Sequence, residues 1–211
     1  MNKEEHWNNI YSTKSLNEVS WYQPIPETSL KLIKNAASTS NSKIIDIGGG
    51  DSMLIDNLLE IGFRDLSVLD ISSNAIEKAK NRLGLKASTV NFIVSDIIEF
   101  ETNNQFDVWH DRAVFHFLTE EDQIEKYKTL VRSAIKPKGH LIIGTFSENG
   151  PDKCSGINIS KYSLEELAEL FSDDFSLENS FQESHTTPFE TEQEFSFVHL
   201  RRLVQIPKTV L

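Results

Sequence analysis

The stretch from Lys43 to Leu58, KIIDIGGGDSMLIDNL, decides the fold of this chain. An isoleucine-rich run comes first and contains one acid, Asp46; three glycines follow, and apolar residues at helical spacing begin at Met53. This order predicts a buried strand, a tight turn and a helix, with Asp51 or Ser52 capping the helix. Glycines permit positive φ angles and close approach of a ligand, and a helix N-terminus offers free N–H groups. The stretch therefore predicts a nucleotide-binding turn.

The spacing of the glycines bears on which nucleotide binds. A dinucleotide fingerprint needs G-x-G-x-x-G, and here Gly48 and Gly50 fit whereas Met53 occupies the third position. Asp46 would repel a pyrophosphate but suits a ligand that carries a positive charge. The stretch resembles the first motif of class I S-adenosylmethionine (SAM)-dependent methyltransferases, D-x-G-x-G-x-G, with Ser52 in place of the last glycine. The resemblance implies that SAM is bound by Asp46, Gly48, Gly49 and Gly50.

Two further acids follow predicted strands. Leu66 to Asp70 (LSVLD) predicts a second buried strand that ends in an acid, which can accept hydrogen bonds from both hydroxyls of a ribose. NAD enzymes use the same device, and the alternative is a solvated or helix-capping acid. Val90 to Val94 predicts a third strand, and Asp96 follows it. In the methyltransferase pattern this acid lies beside the adenine amino group. The resemblance implies that the cofactor site also contains Asp70, Ile71, Asp96 and Ile97.

The first 26 residues carry large aromatic side chains among polar ones. The run from His6 to Gln23 reads HWNNIYSTKSLNEVSWYQ, and Pro24 and Pro26 then stop any regular element. Such a segment is either an arm packed against the body of the protein or a lid, since aromatic faces attract a cation. The run is similar to the W-x-x-x-Y…W segment that opens several small-substrate and protein-lysine methyltransferases. That similarity implies that Tyr11 and Trp21 cover SAM.

A fourth strand is predicted over Phe106 to Trp109, and HDRAVFH follows from His110 to His116. Because ligands bind at the carboxyl ends of parallel strands, His110 and Asp111 are the candidate catalytic residues. An imidazole can accept a proton near neutral pH as a general base, and Asp111 can stabilise the sulfonium or orient the acceptor. His116 is more simply a core histidine. Arg112 is either a structural ion-pair partner or a binding group for an anionic acceptor.

The rest of the chain predicts an α/β architecture. A helix is expected over Glu120 to Lys136, a fifth strand over His140 to Phe146, a loop over Ser147 to Ser160, a helix from Ser163 to Phe171, and antiparallel strands over 175–184 and 194–204. The helix, K-P-K-G turn and strand also resemble class I methyltransferases. The resemblance implies one doubly wound domain over residues 1–211, of the small, undecorated bacterial type. Its mostly parallel seven-stranded sheet would have a C-terminal antiparallel hairpin and helices on both faces. We divide it into an arm or lid (1–26), a SAM-binding core (27–146) and an acceptor-side loop, helix and hairpin (147–211).

Composition limits the classes of function. A formal net charge of −11 argues against a nucleic-acid partner, which would need a basic surface. No stretch is long enough to span a membrane, the N-terminus is unlike a signal peptide, and the single cysteine, Cys154, forms no internal disulfide. We therefore expect a cytoplasmic protein. No Cys/His set has zinc spacing, so no metal is expected.

The resemblance implies transfer of the methyl group of SAM, with S-adenosylhomocysteine (SAH) as product. A small-molecule thiol, amine or carboxylate is the expected acceptor, because the chain carries little beyond the core. The alternatives are a lysine on a partner protein and a non-catalytic SAM-binding module. The sequence does not decide which atom is methylated, whether Cys154 or Arg112 contacts the substrate, or the oligomeric state.

Overall fold

The computed structural model describes residues 2–204. Its strands are β1 (Ile44–Ile47), β2 (Leu66–Asp70), β3 (Val90–Val94), β4 (Phe106–Arg112), β5 (Ile135–Phe146), β6 (Lys153–Cys154), β7 (Ile157–Asn158), β8 (Phe175–Thr186) and β9 (Glu192–Arg202). Its α-helices are α1 (Lys3–Thr13), α2 (Glu27–Ala36), α3 (Leu54–Glu60), α4 (Ser73–Leu83), α5 (Glu121–Ala134) and α6 (Leu164–Glu169). Short 3₁₀ segments lie at Leu16–Glu18, Gly84–Thr89 and Phe115–Phe117. No helix within the described range is long and apolar enough to cross a bilayer.

Seven strands form one sheet in the order β3-β2-β1-β4-β5-β9-β8. The pairs from β3 to β5 are parallel, whereas β9 runs antiparallel to both β5 and β8. The predicted fold class, a mostly parallel doubly wound sheet closed by an antiparallel C-terminal hairpin, is confirmed. Strands β2 and β3 are added on one side of β1, and the chain then crosses over to place β4 on the other side. The carboxyl ends of β1 and β4 therefore flank the crevice in which open α/β sheets bind ligands.

Helices cover both faces of the sheet. Helices α2, α3 and α4 pack on one face, around side chains such as Ile33, Leu58 and Ile76. Helices α5 and α6 pack on the other, around Tyr127 and Leu167. All four residues of β1 are buried, which explains why IIDI shows no alternation of polar and apolar residues. An acid in such a strand needs polar partners, because an isolated buried carboxylate is strongly unfavourable.

The predicted end of β4 is wrong by three residues. The strand continues through His110, Asp111 and Arg112 instead of ending at Trp109. Since successive side chains of a strand point to opposite faces, His110 and Arg112 lie on one face of the sheet and Asp111 lies on the other. The two candidate catalytic residues are therefore separated by the sheet.

Other boundaries also differ from those predicted. Strand β5 begins at Ile135 and not at His140, because the predicted turn is accommodated within the strand with φ +67° at Lys138. The predicted loop over 147–160 contains the short β6–β7 hairpin. Neither Asp51 nor Ser52 is the N-cap residue of α3, which is Met53. The hydroxyl of Ser52 does accept a hydrogen bond from the backbone N–H of Leu54 at 3.1 Å.

The N-terminal arm contains a helix that the sequence did not predict. Helix α1 buries only Ile10 and Tyr11, so its sequence has little apolar periodicity. Asn8 fixes it to the start of α4: its side-chain oxygen accepts from the Ser72 hydroxyl at 2.8 Å and from the Asn74 N–H at 3.2 Å. Helix α1 consequently lies beside the carboxyl end of β2.

Candidate functional site

A cavity opens at the carboxyl ends of β1, β2 and β4 and is bounded by α1. Its empty volume, which includes open solvent at the mouth, is ≈ 1390 Å³. The predicted site residues that line it are Tyr11, Trp21, Asp46, Gly48, Gly49, Asp70, Ile71, Asp96, Ile97 and His110.

The glycine turn after β1 requires glycine for two separate reasons. Gly48 and Gly50 have φ angles of +66° and +32°, which side chains rarely adopt. A Cβ at Gly49 would overlap the carboxylate of Asp46, and one at Gly50 would collide with the carboxylate of Asp70. The turn thus passes between the carboxylates of Asp46 and Asp70, and Gly48 and Gly49 line the cavity.

Asp46 and His110 are joined across neighbouring strands. The two residues are register partners in β1 and β4, and Asp46 Oδ1 lies 2.7 Å from His110 Nδ1. The other ring nitrogen, Nε2, lies 2.9 Å from the hydroxyl of Ser29 on α2. All three side chains are buried. With Asp46 accepting from Nδ1–H, Nε2 of a neutral ring accepts the hydroxyl proton of Ser29. The sequence predicted His110 and Asp46 but not Ser29, which has no distinguishing signal within an amphipathic helix.

Asp70 is a buried carboxylate at the end of β2. Its Oδ1 accepts from the backbone N–H of Ser72 at 2.8 Å. Burial raises the pKa of Asp70 to about 7; the Ser72 N–H partly opposes that rise, and the nearby carboxylate of Asp46 adds to it. A raised pKa in a cavity is typical of groups that bind or react. Asp70 is therefore suited to a ligand that donates hydrogen bonds to it.

The third strand end contributes Asp96 and Ile97 to the cavity wall. Asp96 is half-buried, and its Oδ1 accepts from the Ile98 N–H at 3.1 Å. Ile97 is buried beside it and offers an apolar surface. The carboxylates of Asp46, Asp70 and Asp96 consequently lie along one end of the cavity, as their order in the sequence predicts.

An aromatic wall closes the cavity on the side of the arm. Trp7 contacts Trp21 and Phe117 with ring centroids 5.8 and 5.4 Å apart, and Tyr11 lies 6.2 Å from Trp21. Burial, together with the nearby acids Asp70 and Asp51, holds the pKa of Tyr11 well above its usual value, so its hydroxyl stays protonated. The structure thus brings Tyr11 and Trp21 to the cavity. It also brings Trp7, the first residue of the W-x-x-x-Y…W segment, and it adds Phe117, which the sequence did not predict.

Asp111 lies outside this cavity. Its Oδ1 accepts from the N–H groups of Val114 and Phe115 at 3.0 and 3.2 Å, and its Oδ2 accepts from the hydroxyl of Tyr127 at 2.7 Å. Burial raises its pKa to about 6 despite these bonds. Asp111 holds the turn after β4, where Ala113 has φ +73°. The sequence placed it beside the reactive methyl because β4 was predicted to end earlier.

The opposite end of the cavity is built from β4, β5, β9 and the β6–β7 hairpin. Its lining residues are Arg112, Phe146, Cys154, Ile157, Gln193 and Phe195. Burial raises the pKa of the Cys154 thiol to about 11, so it is not a thiolate at neutral pH. Gln193 and Phe195 were not predicted, since neither lies in a motif and both depend on the long β8–β9 hairpin. Within residues 2–204, no group of three or more His, Cys, Asp or Glu side chains is arranged to hold a metal ion.

Residues 38–199 match the family described as "Methyltransferase domain". Among curated relatives, EEF1A lysine methyltransferase 2 of Danio rerio is 30% identical over 148 residues, which are 66% of this chain and 57% of the relative. Malonyl-[acyl-carrier protein] O-methyltransferase 2 of Ilyobacter polytropus is 26% identical over 107 residues, 50% of this chain and 40% of the relative. The chain spans about half the length of these curated relatives.

Solved structures share the fold. N-methyltransferase NodS from Bradyrhizobium japonicum WM9, in complex with SAH, has a TM-score of 0.70 at 17% identity and covers 96% of this chain and 99% of its own. A structure from work on the conversion of a disulfide bond into a thioacetal group during echinomycin biosynthesis has a TM-score of 0.76 at 18% identity, with 98% and 95% covered. At these identities the likeness concerns the fold.

Proposed function

We propose that this chain, which belongs to the methyltransferase domain family, transfers the methyl group of SAM to a small-molecule thiol, amine or carboxylate. SAM is the cofactor of this enzyme class. The observation that carries the proposal is a single cavity with two chemically different ends. One end has a glycine turn and four aspartates, Asp46, Asp51, Asp70 and Asp96, and the other is mostly apolar. Such a cavity suits a cationic nucleoside beside an acceptor.

The residues present fit SAM. Within the described range, Asp70 accepts one protein hydrogen bond, so it retains capacity for ribose hydroxyls. The turn at Gly48–Gly50 has no Cβ atoms, and a Cβ there would collide with Val114, Asp46 or Asp70. Asp46 and the faces of Trp7 and Trp21 favour a positive charge. When bound, SAM supplies a methyl group already activated by its sulfonium.

The chain's own residues mainly position the partners and exclude water. We propose that His110 acts as general base when the acceptor is an amine or hydroxyl. Asp46 holds Nδ1 and fixes the ring, so Nε2 is the atom that accepts the proton. In the structure the Ser29 hydroxyl contacts Nε2. The proton of the acceptor would reach Nε2 either through this hydroxyl or directly, with the acceptor in its place. Asp111 supports the reaction through the turn that it holds.

Enclosure of the cavity supports a small acceptor over a protein. Helix α1, the aromatic wall and the β6–β7 hairpin bound the cavity on several sides. A protein-lysine acceptor is the second candidate, because EEF1A lysine methyltransferase 2 and the mouse eEF1A lysine and N-terminal methyltransferase are among the relatives. The net charge of −11 would also steer a basic protein toward this chain. A non-catalytic SAM-binding module is the third candidate.

An assay with methyl-labelled SAM distinguishes these candidates. The enzyme is incubated with the small-molecule fraction and, separately, with the desalted protein fraction of a cell extract. We expect label in small molecules, and Asp70→Ala is the matched control because it should not bind SAM. Label only in proteins would overturn the small-molecule acceptor. Binding of SAM without transfer to either fraction would indicate a non-catalytic module.

A further inference from the structure

Arg112 is set into the wall of the acceptor end of the cavity. It follows His110 by two residues on β4 and so shares its face of the sheet. The guanidinium carbon lies 4.6 Å from the ring centroid of Phe195, and Nη1 donates to the backbone oxygen of Trp21 at 3.3 Å. Among residues 2–204, no carboxylate forms an ion pair with it within 4.0 Å. The structural ion pair considered from the sequence is therefore absent from the described part of the chain.

The guanidinium has more donors than partners. An arginine offers five N–H donors in a planar fork, and among residues 2–204 one of them has a partner. Glu183 and Asp46 act on Arg112 only at longer range, and each carboxylate has its own donor. Glu183 accepts from the Thr28 hydroxyl at 2.6 Å, and Asp46 accepts from His110. Burial lowers the pKa of Arg112 to about 10, which reflects the unfavourable placement of this charge. A bound anion would relieve it.

The cavity wall beside Arg112 is largely apolar, and the carboxylates of Glu183 and Asp46 act on the guanidinium at longer range. The thiol of Cys154 is protonated at neutral pH, and Phe146 and Ile157 complete the wall. Behind the wall, the ring of His116 stacks on Phe146 with centroids 4.8 Å apart, and burial lowers its pKa to about 3. The other cationic side chain that lines the cavity, Lys3, is exposed on α1. Arg112 is thus the cation set into the cavity wall, and within residues 2–204 it has no carboxylate partner in direct contact.

We propose that Arg112 binds a carboxylate of the methyl acceptor, so that the substrate is an apolar, preferably aromatic, small molecule bearing an anionic group. This inference rests on the proposed function and names the substrate class. The planar fork of arginine matches a carboxylate with two parallel hydrogen bonds, and the ring of Phe195 holds the fork in place. The methionine carboxylate of SAM has the same chemistry. The experiment therefore needs one arm for each source.

The first arm uses benzoate and its neutral isostere benzamide as probes. Each is titrated into the SAH complex of the whole chain by calorimetry or ligand-observed NMR. We expect benzoate to bind at least roughly tenfold more tightly than benzamide. Arg112→Met should abolish the preference, Arg112→Lys should retain part of it, and the exposed-site control Arg64→Met should leave it unchanged. No preference in the unmodified protein, or a preference that survives Arg112→Met, would overturn the proposal.

The second arm compares SAM with decarboxylated SAM. If Arg112 binds the acceptor, Arg112→Met lowers the affinity for SAM and for decarboxylated SAM equally, and by less than a few-fold. If the variant erases a preference for the carboxylated form, Arg112 belongs to the cofactor site and the proposal is refuted. Failure of the unmodified protein to bind SAM would instead refute the proposed function. The comparison of benzoate with benzamide needs no variant and stands even if Arg112→Met does not fold.

Discussion

Replacing Asp70 with asparagine should weaken SAM binding while making the ligand-free protein more stable. The carboxylate would accept from two ribose hydroxyls, and hydrogen bonds to a charged group contribute about 1.5–3 kcal/mol each. Asparagine keeps an acceptor for the Ser72 N–H but presents an NH₂ group to the ribose. We expect a loss of about 2–4 kcal/mol, which corresponds to a roughly 30- to 1,000-fold rise in Kd.

Asp70→Asn should lower the affinity for SAM but raise the free energy of unfolding of the ligand-free protein. The pKa of Asp70 is raised to about 7 in the folded protein from an ordinary value of 3.8. Between these values the folded state holds a proton that the unfolded state has released, so stability falls as pH rises from about 4 to 7. At about 1.4 kcal/mol per pKa unit, the ionised side chain destabilises the fold by up to about 4 kcal/mol above pH 7. Asparagine avoids this penalty, and the difference should vanish near pH 4.

Two measurements test this reasoning. Urea unfolding of the ligand-free proteins at pH 4, 6 and 8 should show the variant gaining stability with pH relative to the unmodified protein. Calorimetric titration with SAM should show affinity of the unmodified protein rising with pH up to about 7 and then levelling, whereas Asp70→Asn shows no such dependence. Asp65→Asn, at an exposed position just before β2, is the matched control. Equal SAM affinity for Asp70→Asn and the unmodified protein would refute the ribose role.

Three further predictions concern the same cavity. Asp46→Asn should weaken SAM more than SAH in parallel titrations, because only SAM carries the sulfonium charge; equal losses would limit Asp46 to the α-amino group, the turn or His110. Removing residues 1–22 should abolish transfer while circular dichroism still reports a folded domain, since the aromatic wall is lost but the sheet is not; full retention of SAM affinity would show that the arm is no lid. His110→Ala should lower turnover of an amine or hydroxyl acceptor by roughly 10²–10⁴-fold with SAM affinity nearly unchanged. Ser29→Ala, which removes the partner of Nε2, should change turnover only a few-fold. If His110→Ala instead loses SAM, the histidine belongs to the cofactor site.

The cofactor half of the molecule was predictable because its signals are local. Asp46, Asp70 and Asp96 each lie at or just after a short apolar strand, and the turn at Gly48–Gly50 follows the first of them. The parallel order then brings the strand ends to one edge without further information. The placement of these residues around one cavity follows from the order of strands and helices.

The acceptor half was less predictable because it depends on contacts between distant segments. The end of β4 could not be located, since HDR at 110–112 is polar yet continues a strand covered on both faces. That error placed Asp111 in the crevice. Phe195 reaches the cavity through the register of β9 with β5, and Gln193 through the register of β9 with β8; no local pattern specifies either register. Helix α1 escaped prediction because it buries few residues and is fixed mainly by Asn8.

Hydrogen bonds from the arm and from α2 to strand β8 bear on how the site forms during synthesis. The backbone oxygen of Ser20 lies 2.7 Å from His185 Nε2, and Thr28 donates to Glu183, so these bonds join segments separated by more than 150 residues. The strands β1, β2 and β3, near whose carboxyl ends Asp46, Asp70 and Asp96 lie, leave the ribosome long before β8. A nascent chain can thus form the glycine turn while the opposite end of the cavity remains open, because Gln193 and Phe195 of that end lie on β9. The end of the cavity that contains Arg112 is therefore completed after the end that contains Asp70.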